Sequence, residues 1–143
     1  MRLIGIDLGT KTMGIAITDS LRIIASGLEN FTYQNNDLNI CINKIKSLLE
    51  RYQNDVAGII LGYPTNINGS KNEQTLLVEK FNELLKSQIT IPIMLQDERY
   101  TTLQATGYLK YQVGLKSSQI KKIKDKMSAV IILDEYLQTH SNF

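Results

Sequence analysis

Three carboxylates stand where a structural role is hard to assign: Asp7, Glu98 and Asp125. Asp7 closes the short apolar run Leu3–Ile6, whose length and β-branched residues predict a buried strand. That puts the acid at a carboxyl edge of a sheet, where open α/β folds bind ligands. Its alternative is a turn aspartate serving the amides of Gly9 or Thr10. Glu98, within Asp97-Glu98-Arg99, follows a later strand at the same edge; a solvated loop is the alternative. Asp125 shares a helix face with Ala129, Ile132 and Tyr136, so it extends an apolar stripe. An unpaired carboxylate there is costly to bury, and a shared cation removes that cost; capping the helix is the alternative. Three converging acids without imidazole or thiolate suit Mg²⁺ or Mn²⁺. Two such ions can activate a water and stabilise the leaving oxygen of a phosphodiester.

The rest of the composition narrows the chemistry in the same direction. The chain has 143 residues, 43% of them hydrophobic, with one cysteine, Cys41, and one histidine, His140. This fits a single domain over 1–143, with 139–143 as a loose tail. An internal disulfide, a Cys/His zinc cluster and a Ser-His-Asp triad are all excluded. Cys41 lies in an apolar helical stripe and reads as core. No leader-like or membrane-length apolar stretch is present, which predicts a cytoplasmic protein without a membrane span. Net charge is only +2, yet half of the lysines fall between 110 and 126. Lys116, Lys121, Lys122 and Lys124 of that stretch can follow a phosphate backbone; a solvated helix face is the alternative.

The elements that must hold these residues follow from periodicity. Strands are expected at Leu3–Ile6, Met13–Thr18 and Leu21–Leu28, as an antiparallel meander, then at Val56–Leu61 and Ile91–Leu95. Helices are expected at Asp37–Tyr52, Glu73–Leu85 and Thr101–Lys110, with a last one reaching about Thr139. A meander followed by strand–helix alternation implies a mixed five-stranded α/β sheet with helices on both faces.

Four segments resemble the YqgF family of ribonuclease-H-like proteins, known as Holliday junction resolvases or pre-16S rRNA nucleases. They are Ile6–Lys11 with Gly14-Ile15-Ala16, Gly62-Tyr63-Pro64 through Asn66 to Gly69-Ser70, Asp97–Thr102, and Asp125 with Ser128–Leu133 and Tyr136-Leu137. The resemblance spans nearly the whole chain. It implies metal-dependent phosphodiester cleavage at Asp7, Glu98 and Asp125. It also implies structured RNA or branched DNA as substrate, and maturation of the 5′ end of 16S rRNA in ribosomal precursor particles. Lys11, Asn66 and Arg99 join the lysines as expected nucleic-acid contacts, in a monomer or weak homodimer. Thr12 stands where the family often has a basic residue, and Asn68 where it often has aspartate. Two rival readings are a non-catalytic nucleic-acid-binding module of the same fold and, through Gly5–Lys11, an actin-like ATPase. The second needs two such domains, for which 143 residues are too few.

Overall fold

The computed structural model describes residues 1–34, 36–97 and 117–140, the side chains of 117–126 excepted. Strands β1 (Arg2–Leu8), β2 (Thr12–Thr18) and β3 (Ala25–Thr32) form the meander. Helix α1 (Leu38–Arg51), strand β4 (Val56–Tyr63), helix α2 (Glu73–Lys86), strand β5 (Ile93–Asp97) and helix α3 (Ser117–Thr139) follow. The sheet order is β3-β2-β1-β4-β5. β1 pairs antiparallel with β2 and parallel with β4, and β5 runs parallel to β4. The expected mixed sheet is therefore present. The expected helix at Thr101–Lys110 lies outside the described residues.

Strand alternation divides the side chains between two cores. Ile4, Ile6 and Leu8 of β1, with Met13, Ile15, Ile59 and Leu61, face α1 and α2. The two helices bring Cys41, Ile42, Ile45, Leu48, Val78, Phe81 and Leu85 to that face. The other face is thinner: Leu3, Ala16 and Ile60 meet Ala129, Ile132, Leu133 and Leu137 of α3. Gly5 explains how α3 comes so near. A Cβ at Gly5 would lie 3.0 Å from both the Ala129 carbonyl oxygen and the Leu133 Cβ.

Caps fix the two long connections. The Asp37 side chain accepts from the Asn39 amide at the start of α1. Asn72 and Thr75 form a reciprocal capping box on α2, and each such cap is worth about 1 kcal/mol.

Two strands differ from their expected bounds for identifiable reasons. The third begins at Ala25 rather than Leu21. Asp19 holds 19–24 in a turn, its side chain accepting from the Ile23 and Ile24 amides at 2.7 and 2.9 Å. Arg22 takes a left-handed conformation in that turn (φ 58°). The fifth strand starts at Ile93, just after Pro92, which has no amide to donate to a ladder.

Candidate active site

Asp7 stands one residue before the end of β1 and is half-buried. Leu3 and Gly5 point to the α3 face, so Asp7, two residues on, points there too. Its partner across the antiparallel pair is Gly14, and Gly14 is paired in turn with Asn30 of β3. Directly opposite residues share a face, so Asp7, Gly14 and Asn30 form one row on the α3 side. On the other flank β4 places Gly62 next after Leu61, the partner of Ile6. The acid thus sits between two glycines, which put backbone rather than side chains on either side of it.

The turn after Asp7 is tied down from three directions. The Gly9 amide donates to the Thr12 carbonyl at 2.7 Å. The Tyr33 hydroxyl donates to the Gly9 carbonyl, and the Gln74 side-chain amide donates to the Leu8 carbonyl. Burial pushes the Tyr33 hydroxyl up to about 12, so it keeps its proton and remains a donor across the neutral range. Tyr33, just after β3, and Gln74 of helix α2 therefore both fix where β1 ends.

The other expected site residues fall as follows. Asp125 lies on α3, one turn before Ala129, the residue that meets Gly5. Its side chain is outside the described set, as are those of Lys121, Lys122 and Lys124. Glu98, Arg99 and Lys116 lie wholly outside the described residues. Asp97 ends β5 at the same edge as Asp7, separated from β1 by β4. Helix α3 comes within electrostatic reach of that strand end. The Glu135 carboxyl is held above the usual range by burial first, with Asp134 and Asp97 adding to it. Among the described residues no three acids, histidines or cysteines gather as a metal cluster; of the three expected ligands, Asp7 alone has a described side chain.

Lys11 is exposed in the β1–β2 turn. Asn66 is committed within its own loop. Its amide nitrogen donates to Ser70 Oγ at 2.8 Å and its carbonyl oxygen accepts from Asn72 at 3.1 Å. Gly69 closes that loop at φ 88°, a conformation that favours glycine. Asn30 was not singled out from the sequence. Its Oδ1 is buried with no hydrogen-bond partner among the described residues, in the row that contains Asp7. No motif marks it; only the β2–β3 register aligns it with the acid.

The residues in place suit a hard cation. Asp7 offers carboxylate oxygen, Cys41 is sealed in the opposite core, and burial pushes its thiol up to about 12. A soft or borderline metal would find no thiolate here.

The model of the family described as RuvX: Holliday junction resolvase matches residues 1–139. The chain belongs to that family. Its relatives include a protein of Ureaplasma parvum named pre-16S rRNA nuclease, 49% identical over 99% of this chain and all of the relative. Proteins of the same name from Mycoplasmopsis pulmonis and Dictyoglomus turgidum are 41% and 40% identical, covering 96% and 99% of this chain and 92% and 96% of their own. Among solved structures, Thermus thermophilus RuvC bound to a Holliday junction superposes with a TM-score of 0.57, at 14% identity and 99% and 97% coverage. The fowlpox virus Holliday junction resolvase superposes at 0.52, with 15% identity and 97% and 99% coverage. At such identities these likenesses establish the fold alone, which is ribonuclease-H-like as expected. Family membership makes the chain a phosphodiester-cleaving nuclease, of a family whose members act on nucleic acid and typically require a divalent metal. Among the described residues no helix is long and apolar enough to cross a membrane.

Proposed function

We propose that the chain, as a single domain over 1–143, is a cytoplasmic Mg²⁺- or Mn²⁺-dependent endonuclease that cleaves structured RNA. Its substrate is the 5′ end of precursor 16S rRNA within ribosomal precursor particles, and it works as a monomer or weak homodimer. The observation that carries this reading is the placement of Asp7 between glycines at the carboxyl edge of β1, facing α3. From the contact of Gly5 with Ala129, two strand residues lead to Asp7 and four helix residues to position 125. Those steps are only about 7 and 6 Å, which supports Asp7 and Asp125 sharing a site. Glu98 directly follows β5 and supplies the third acid.

In this site Asp7, Glu98 and Asp125 would hold the metal, which when bound supplies Lewis-acid stabilisation of phosphate charge and an activated water. The chain's own contribution is positional. Tyr33 and Gln74 fix the turn beyond Asp7, and the flanking glycines leave room for the scissile phosphate. Lys11, Arg99, Lys116, Lys121, Lys122 and Lys124 neutralise the flanking backbone. Asn66 shapes the neighbouring loop and reaches substrate only if its network with Ser70 and Asn72 opens.

A second substrate, branched DNA, is favoured by the family description alone. The deciding experiment compares wild type with Asp7→Asn on a 16S precursor and on a four-way DNA junction, each with Mn²⁺. Cleavage of the precursor should fall about a thousandfold in the variant, roughly 4 kcal/mol of barrier, with its thermal melting retained. Unchanged turnover would remove Asp7 from the site. Faster cleavage of the junction than of the precursor would replace the RNA assignment.

A further inference from the structure

On the α1/α2 side of the Asp7 edge, two clefts run together. One, of about 600 Å³, lies between the β1–β2 turn and the start of α2; Thr10, Asn36, Asn72, Gln74, Leu77 and Lys80 line it. The other, of about 440 Å³, continues past Thr10 and Asn36 to Lys11, Thr32 and Gln34. Thr10 and Asn36 belong to both, so the two form one trough across the top of the meander.

Three features of this trough point to one ligand chemistry. Its two lysines, Lys11 and Lys80, are exposed, and neither pairs with an acid among the described residues. In contrast, Lys44 and Lys71 are each engaged by a glutamate, at 2.7 and 2.9 Å. The side chains of Thr10, Thr32, Gln34 and Asn36 make no hydrogen bond to the rest of the described chain, so donors and acceptors are both free along the wall. Leu38 and Leu77 add apolar surface beneath them. Free cations, mixed amide and hydroxyl groups and an apolar floor suit a sugar–phosphate strand with unpaired bases. The recess lies between the β1–β2 turn and two helices, which suits a single strand better than a duplex. Phosphates accept but do not donate, so the amide oxygens on this wall would take hydrogen bonds from base N–H groups or from a ribose 2′-hydroxyl.

We propose that this trough holds a single-stranded RNA flank of the substrate as it leaves the catalytic edge over Thr10. Lys11 and Lys80 sit on its phosphates, and Thr32, Gln34 and Asn36 on its sugars. This rests on the nuclease reading for its substrate, but its geometry is separate: the trough is lined by none of Asp7, Gly14 and Asn30. Glu73, also on its wall, opposes the phosphates and so sets the sign of a second variant.

The test is binding, measured by fluorescence anisotropy in EDTA. The probes are an RNA hairpin with a six-nucleotide single-stranded flank, the same hairpin without it, and one with a deoxyribose flank. Wild type should prefer the ribose-flanked hairpin. In Lys80→Ala that preference should shrink roughly fivefold, and the salt slope on the flanked hairpin should become shallower by about 0.7. The flankless hairpin should bind within about twofold of wild type by the same reasoning. Glu73→Gln should tighten binding of the flanked hairpin only. Equal losses on flanked and flankless RNA, or no preference for a flank in wild type, would overturn the proposal. A deoxyribose flank bound as tightly as ribose would overturn its sugar contacts. Cleavage of the same hairpins with Mn²⁺ reports separately on the nuclease reading. Wild type that binds the flank and cuts nothing refutes that reading, and wild type that cuts without preferring the flank refutes the trough.

Discussion

The two faces of the sheet are built to different specifications. Toward α1 and α2 the strands present large aliphatic side chains, and Phe81 fills the centre with no exposure. Toward α3 they present glycine and alanine: Gly5, Gly14, Ala16 and Gly58, with Leu3 and Ile60 among them. The first face gains its stability from buried area, and the second trades area for closeness. A helix lying on Gly5 can bring its own residues within reach of Asp7, whereas one riding on isoleucines cannot. The acid is on the thin face, and the mass that keeps the fold together is on the thick one.

This contrast can be broken from either side. After Asp7→Asn, the largest effect expected is on the thick face. Phe81→Ala should cost about 3–5 kcal/mol, read as a lower midpoint in urea with the slope unchanged. Cleavage per folded molecule should stay near wild type. If the variant instead lost activity while keeping its stability, the division of labour would be wrong. On the thin face Gly5→Val should cost less stability, about 1–3 kcal/mol, because α3 can shift outward. Its cleavage rate should fall far more than its stability, since that shift moves position 125 away from Asp7. A Gly5→Val enzyme with normal turnover would mean that the close approach serves packing only.

The basic stretch gives a smaller effect. Lys121→Ala/Lys122→Ala should weaken binding to RNA and DNA alike, with a salt slope shallower by about 1–2. A loss confined to one substrate would mean base or shape readout rather than phosphate contact.

Much of this was legible in the sequence, and the misses have physical causes. Helix α1 was readable from Leu38, Cys41, Ile42, Ile45 and Leu48, all now buried in one core; its cap was readable only as Asn36 or Asp37, and Asp37 serves. Asp7 was readable because a lone acid ended an apolar strand. The third strand was misplaced because Leu21, Ile23 and Ile24 look like strand residues. They stand 77, 69 and 63% exposed instead, since two amide bonds to Asp19 outweigh local β preference. Asn30 was invisible for a different reason. Its alignment with Asp7 depends on a bulge in the β2–β3 register between Ile15 and Ala16, and composition does not encode a register. Cys41 was correctly read as core: its thiol, raised by burial and by the neighbouring Asp37 charge, should resist alkylation until the fold opens.

The smallest expected effect is at Asp19, at the far end of the meander from Asp7. Both are aspartates that follow or end a strand, and type alone does not separate them. Asp19 is engaged by the Ile23 and Ile24 amides. Its carboxyl is held below its ordinary value, chiefly by the Ile24 bond. A carboxyl lowered in the folded state adds stability above its unfolded value near 3.8. That contribution is lost as pH falls through the lower folded value. Asp19→Ala should therefore melt earlier than wild type at neutral pH, and the gap between the two should close as the pH drops below about 3.8. Its Mn²⁺-dependent cleavage should match wild type, because the loop it holds is at the opposite end of the strands from the site. If Asp19→Ala lost cleavage as Asp7→Asn is expected to, the two ends of the meander would be coupled, and closeness to α3 would no longer be what distinguishes the proposed metal ligand.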